Sequence, residues 1–356
     1  MRTGIANLPL HYGKAPAWLF SRMKRLAREV AIWVVSEFGP EEMILRLSDP
    51  FWFQAFGCAL GFDWHSSGVT TTVCGALKEG IAGLESDLGL FVAGGKGARS
   101  RKTPAEIESF SDRLSQDPQR LIYASRMTAK VDNSGLQDGY QLYHHVFLFT
   151  KEGYWGVIQQ GMNENTRYAR RYHWLGGEVK DFVCEPHSAI CCDHLETPLN
   201  MVALESEEAR SISASLSKEN PESIAQQLSR LQNLDLPPRH QVLVSDINPQ
   251  RIKRILLASY ETQPRNFEAL LGTAGIGPKT IRALALLSEL VYGAKVSVRD
   301  PVRYSFAHGG KDGHPYPVDR ALYNRSISLL KKALNAAKVG RTEKLEALKR
   351  LAVMEE

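Results

Sequence analysis

Gln141-Leu142-Tyr143-His144-His145-Val146-Phe147-Leu148-Phe149, followed by Tyr154-Trp155-Gly156-Val157-Ile158-Gln159-Gln160, is the stretch that decides the fold class. Apolar and polar residues alternate in both runs, the period of a strand, and Glu152-Gly153 between them supplies turn chemistry. The two runs therefore read as a β-hairpin. The segments before and after carry helical periods, so the chain is expected to be α+β and multidomain. Its parts are an α-rich N-terminal region over 1–120, a β-containing middle over 121–200 packed with it, a helical connector over 201–238 and an all-α C-terminal domain over 239–356.

Asp132 and Asp138 precede the hairpin, and His144 and His145 lie on it. Acidic residues leading into a strand pair resemble the metal sites of nucleases, although the Glu-x-Lys of such enzymes is missing from the second strand; a metal-dependent nuclease stands as an alternative. The hairpin runs on into Asn165-Thr166-Arg167-Tyr168-Ala169-Arg170-Arg171-Tyr172-His173-Trp174. Arginine holds phosphates and aromatic faces stack on bases, so Arg167, Arg170 and Arg171 are candidate nucleic-acid contacts, or else a structural stack. Upstream, Gly94-Gly95-Lys96-Gly97-Ala98-Arg99-Ser100-Arg101-Lys102 lacks the spacing of a nucleotide-binding P-loop. It reads as a flexible backbone clamp through Lys96, Arg99 and Arg101, or as a solvated loop. Downstream, Cys184, His187, Cys191 and His194 are dense enough to hold zinc, though without paired knuckles, and otherwise are buried thiols and imidazoles. No cofactor is required by these patterns; a divalent metal or zinc is the open case.

The N-terminal region begins with a helix from about Pro16 to Phe38, ended by Gly39-Pro40, and a second over Glu41 to Leu47. Phe51 to Phe62 is too apolar for a surface. Asp63, His65 and Ser66 follow in one short span, where a capped helix start is favoured over a catalytic triad, because sequence neighbours rarely converge on one point. Hydrophobic residues make up 43% of the 356, and Lys plus Arg exceed Asp plus Glu by 44 to 39, a small excess that suits nucleic acid only where cations cluster. The odd cysteine count and the lack of a long apolar run predict a reduced, cytoplasmic protein. Oligomeric state is left open.

In the C-terminal third, Leu270-Leu271-Gly272-Thr273-Ala274-Gly275-Ile276-Gly277-Pro278-Lys279-Thr280-Ile281-Arg282-Ala283-Leu284 carries two helical periods around a pair of glycines. Turn amides at the positive end of the second helix, with Lys279 beside them, suit a phosphate. The stretch resembles the helix-hairpin-helix element of DNA-binding proteins, whose Gly-hydrophobic-Gly core is matched by Gly275-Ile276-Gly277. That resemblance implies backbone contacts to DNA from Gly275, Gly277, Lys279 and Thr280, without base reading.

Leu8-Pro9-Leu10-His11-Tyr12-Gly13, Gly61-Phe62-Asp63-Trp64-His65-Ser66-Ser67-Gly68 and His308-Gly309-Gly310-Lys311-Asp312-Gly313 are similar to phrases of the domain-of-unknown-function family 763. The C-terminal third also resembles base-excision glycosylases that act as lyases. In those enzymes a lysine follows Gly-hydrophobic-Gly-x, as Lys279 does, and an aspartate follows a Gly/Pro-rich loop, as Asp319 does. The resemblance implies Lys279 as a nucleophile desolvated at a helix N-terminus, and Asp319 as the carboxylate that assists it. Asp300 has better spacing from Lys279 but poorer flanking sequence. The expected partner is DNA, damaged or single-stranded, and the expected reaction is base excision; a protein that binds DNA without chemistry is the further alternative.

Overall fold

The computed structural model describes residues 15–62, 68–192, 194–232, 247–302 and 320–352, side chains of 232 and 320–326 excepted. Asp319, the Asp63 to Ser67 cluster and the glycine-rich stretch around His308 lie outside the described residues.

The chain opens with a layer of helices. In α1 (Ala17–Phe38), Met23, Leu26, Val30 and Val34 recur at helical spacing and are buried, and the helix stops at Gly39, whose φ of +89° suits glycine. α2 (Pro40–Ser48) and α3 (Pro50–Leu60) each start on proline, whose missing N–H costs nothing in a first turn. Asp49 caps α3 by accepting from the amides of Phe51 and Trp52, at 2.9 and 3.1 Å. α4 (Gly68–Gly80) packs against α1 so closely that a Cβ on Gly80 would stand 2.6 Å from the Lys24 carbonyl oxygen.

Behind this layer, after the single turn of α5 (Glu85–Leu88), lies an antiparallel sheet. Its order is β1 (Leu90–Lys96), β3 (Gln141–Thr150), β4 (Trp155–Asn163), β5 (Tyr168–Leu175) and β6 (Ala189–Cys191). A small ladder pairs β2 (Leu136–Gln137) with β7 (Leu199–Asn200). The expected hairpin is β3–β4, with Val146 opposite Ile158 and Phe149 opposite Trp155, and Gly153 turning the chain at φ +87°. Alternation in the sequence suggests one wet face; in fact both are covered. On one, Phe91, Phe147, Phe149, Val157 and Trp174 meet α6 (Thr103–Glu108) and α7 (Pro118–Lys130) and share a core with α8 (Glu207–Leu216), α9 (Pro221–Gln232), α10 (Pro249–Thr262), α11 (Phe267–Gly272) and α12 (Pro278–Leu290), which pack on α7 and on one another. On the other, Val92, Val146, Leu148, Ile158 and Leu175 meet the N-terminal layer together with α13 (Arg320–Ala336) and α14 (Arg341–Ala352).

The fold is thus α+β, with two hydrophobic cores separated by one sheet. This arrangement corrects two expectations of domain organisation. Residues 201–232 are not a solvated connector, since Leu216, Ile224, Leu228 and Leu231 are buried in the first core. The expected unit 239–356 is divided, with Leu256, Leu270 and Leu284 in the first core and Ile327, Leu330, Leu334 and Leu351 in the second. Each helix set covers a different face of the sheet, where apolar area was left uncovered. Among the described residues no helix is long and apolar enough to cross a membrane.

Candidate functional site

The turn between α11 and α12 is built from both of its ends. Asn266 caps α11 by accepting from the Ala269 amide at 2.9 Å, and α12 opens on Pro278 directly after Gly277. Gly275 has φ +83°, which asks for glycine; Gly277 does not, because its φ of −142° is open to any residue. A Cβ on Gly277 would meet nothing within 4 Å, so neither backbone nor packing requires glycine there. What its absence of side chain does is leave the start of α12 open to approach. From within, Ile276 is 1% exposed and anchors the turn in the first core. Lys130 at the end of α7 donates to the Ile276 carbonyl at 2.5 Å, and Gln137 of β2 donates to the Pro278 carbonyl at 2.9 Å while accepting from Arg282 Nε at 3.0 Å.

Lys279 is exposed on this structure, so the burial expected around a desolvated amine is not supplied by the protein. Thr280 corrects the expected contact set: it is 1% exposed, and its amide is spent on the Gly277 carbonyl at 3.0 Å as the first turn of α12 forms. Burial lowers the pKa of the Lys130 ammonium from its ordinary range, which places a second cation at the turn under partial desolvation.

The cationic stretch after β1 is less flexible than its glycines suggest. Gly94 sits at φ +92°, where a Cβ would stand 2.2 Å from the His145 carbonyl oxygen, and its amide and carbonyl are held by Glu106 and Lys78 at 2.8 and 2.7 Å. Lys96 ends the strand, and Arg99 and Arg101 follow on a tight turn, Gly97–Lys102; all three are exposed. Arg167 is exposed as well, in the turn between β4 and β5 at φ +61°. Arg170 and Arg171 overturn the expectation of a surface: both are 0% exposed. They stand within β5, an interior strand whose two faces are both covered, so one points into each core.

The acidic and histidine candidates are also drawn apart. Asp132 lies in a wide helical turn, Val131–Gly135, and accepts from Gln159 at 2.6 Å, Trp174 at 2.9 Å and His187 at 2.5 Å. Because that carboxylate only accepts, Gln159 turns its NH₂ to it and its oxygen to His145, which therefore donates from Nδ1 at 2.9 Å. His145 Nε2 is left to accept from Ser125 at 2.9 Å. The resulting chain Ser125–His145–Gln159–Asp132–His187 orders a hydroxyl against an imidazole, but Ser125 is 2% exposed and meets no substrate surface. Asp138 belongs to a different cluster, accepting from Tyr172 at 2.7 Å and Arg170 at 2.9 Å, and Arg170 reaches on to Asp300 at 2.8 Å. Asp300 is thereby committed to a buried ion pair with Arg170. His144, adjacent to His145, points to the opposite face by the period of the strand.

Three of the four zinc candidates diverge in the same way, and Cys184 is a half-buried free thiol. His187 is bonded to Asp132, Cys191 pairs in register with Arg171, and the His194 ring packs on Tyr168 at 3.9 Å. The neighbouring Cys192 thiol meets Tyr140 at 3.3 Å. Among the described residues no three His, Cys, Asp or Glu side chains form a group that could hold a metal ion. Sequence reading missed Lys130, Gln137 and Ser125, whose helical or short-strand setting carries no motif; only the contact of α7 with the α11–α12 turn reveals them.

A cleft of about 430 Å³ opens beside the same helix, between Arg120, Tyr123, Trp155 and Phe182, and the Tyr123 hydroxyl donates to Glu268 of α11. A family described as "Protein of unknown function (DUF763)" matches residues 4–318. No curated protein and no solved structure matches the chain.

Proposed function

The chain belongs to that family, whose description names no activity, and we propose from its residues that it is a DNA-binding repair protein that holds the phosphate backbone at the α11–α12 turn and performs base-excision chemistry there. The observation that carries the reading is Gly277, a glycine demanded neither by its φ nor by its neighbours, at the N-terminus of a helix flanked by Lys279 and Lys130. Such a turn lets backbone amides approach an anion that a side chain would hold off. DNA laid over it would cover the exposed Lys279, whose nitrogen would attack the sugar C1′ as the glycosidic bond breaks and the base departs with its bonding electrons. Asp319 is the carboxylate assigned to assist it. A base taken out of the stack needs an aromatic slot, and the cleft of Tyr123, Trp155 and Phe182 is joined to the turn by α7 and by the bond to Glu268.

Two measurements test this. Gly277→Val should weaken binding to all DNA sequences alike and lower the slope of log affinity against log salt by roughly one unit per lost phosphate contact. Lys279→Gln should abolish adducts trapped by borohydride on damaged oligonucleotides while retaining most of the affinity. A folded Gly277→Val protein with unchanged affinity would remove the binding surface. Loss of affinity and salt slope in Lys279→Gln, with no adduct on any substrate in the wild type, would leave binding without chemistry.

A further inference from the structure

One row of paired residues crosses the whole sheet on the face toward the N-terminal helices: Lys96, His144, Gln160, Arg171 and Cys191, each opposite the next in register. Residues opposite one another share a face, so the five side chains form one track. Its outer end is open. Lys96 is exposed on the edge strand beside Arg99 and Arg101, and its ammonium stands 5.7 Å from the Tyr143 ring, whose hydroxyl accepts from Gln160.

The inner end is buried and positively charged. Arg171 is 0% exposed, stacks over Phe53 at 4.7 Å, and donates to His173 at 2.9 Å, to Gln54 of α3 at 3.0 Å and to Thr70 of α4 at 3.5 Å. Every one of these partners is neutral or can be so. The thiols of Cys74 and Cys191, which also face the guanidinium, are pushed up to about 12 by burial and carry no charge. Among the described residues no carboxylate pairs with Arg171, and its Nη2 has no hydrogen-bond partner. Its neighbour in the sheet, Arg170, shows the contrast, held between Asp138 and Asp300. Both nitrogens of His144, two strands away or roughly 10 Å, are likewise buried without a partner. A guanidinium does not lose its proton in a protein, and a buried cation without a counterion is strongly unfavourable.

We propose that this row lines a binding site for a phosphate monoester, with Arg171 as its principal anchor, His144 and the Thr70 hydroxyl beside it, and Lys96 at the entrance. A tetrahedral oxyanion can take the unpartnered N–H groups of Arg171 Nη2 from the sheet and the Thr70 hydroxyl from α4, while Nε and Nη1 stay on His173 and Gln54. The burial of the row excludes the continuous backbone of a duplex and admits only a free phosphate group or one at a chain end. This site lies on the face of the sheet opposite the α11–α12 turn, and it stands whether or not that turn binds DNA.

Thermal melting of the full chain at constant ionic strength tests it, with inorganic phosphate, a 5′-phosphorylated oligonucleotide and the same oligonucleotide with a 5′-hydroxyl as probes. The wild-type midpoint should rise with the logarithm of phosphate concentration. Arg171→Met should melt at or above the wild type without phosphate, since the uncompensated charge is gone, and should not respond. If that variant fails to fold, Arg171→Lys keeps the charge and should respond with at least tenfold weaker affinity; His144→Gln should weaken the response as well. Gly277→Val should respond to inorganic phosphate like the wild type, and the two oligonucleotides are compared in that background. A response to inorganic phosphate identifies a free phosphate as ligand, and a response to the phosphorylated oligonucleotide alone identifies a DNA end. No response of the wild type to any probe at millimolar concentration overturns the proposal, as does an undiminished phosphate response in Arg171→Lys or, in the Gly277→Val background where the turn no longer holds DNA, an equal response to the two oligonucleotides.

Discussion

His144 and His145 are neighbours in the chain with opposite settings, and the difference is one of strand period. His145 is oriented by Ser125 and Gln159, while His144 faces the other core and is held neutral, its pKa lowered to about 3 by burial first and then by His145 and Lys96. A neutral buried histidine binds its proton more weakly folded than unfolded, where the ordinary value is 6.5. The stability it contributes is therefore complete above about 6.5 and is lost as pH falls from there toward about 3. Urea midpoints measured down this range should decline in the wild type and decline less steeply in His144→Gln. Equal slopes in the two proteins would show that other groups, such as the buried His173, set the acid limb. That both histidines lie on a strand is readable from alternation; that they serve separate clusters is not, because register with β1 and β4 decides their partners.

At the scale of elements, α7 joins the sheet to the α11–α12 turn. Its N-terminal half lines the aromatic cleft through Tyr123, its middle places Ser125 against His145, and its last residue, Lys130, holds the carbonyl of Ile276. Removing a charged donor from a half-buried carbonyl costs about 1 to 2 kcal/mol. Lys130→Met should lose that much stability by urea unfolding, and amide hydrogen exchange over residues 273–277 should quicken more than exchange in β3 and β4. Unchanged exchange in the turn would mean that Ile276 burial alone holds it. The turn itself was legible, since a pair of glycines between two helical periods announces a bend between helices. Its support was not, as nothing in the run from Pro118 to Lys130 marks it as the floor of a distant turn.

For the whole molecule, the central fact is that one sheet divides the helices into two cores. Helices α10 to α12 share the core of Phe147 and Trp174, packed on α7, α8 and α9, while α13 and α14 rest on α1 and α3 across the sheet. A fragment of residues 239–356 should therefore be largely unfolded in isolation, because each half of it loses the apolar surface it covers. Circular dichroism and cooperative melting of the fragment against the full chain provide the check. A fragment that melts cooperatively as a monomer would show that its two helix sets pack on each other instead.

What the sequence by itself determined is local: the β3–β4 hairpin from alternation and Glu152-Gly153, the end of α1 from Gly39-Pro40, the turn between α11 and α12 from its glycine pair, and the α+β class that these elements add up to. Those features depend on interactions within a few residues, so they are written in short spans of chain. What only the tertiary structure decided is which side chains face one another. Arg170 and Arg171 read alike as surface cations, yet one closes an ion pair with Asp138 and Asp300 and the other enters the opposite core without a carboxylate. Burial and pairing depend on what covers each face of the sheet, and the covering helices come from opposite ends of the chain.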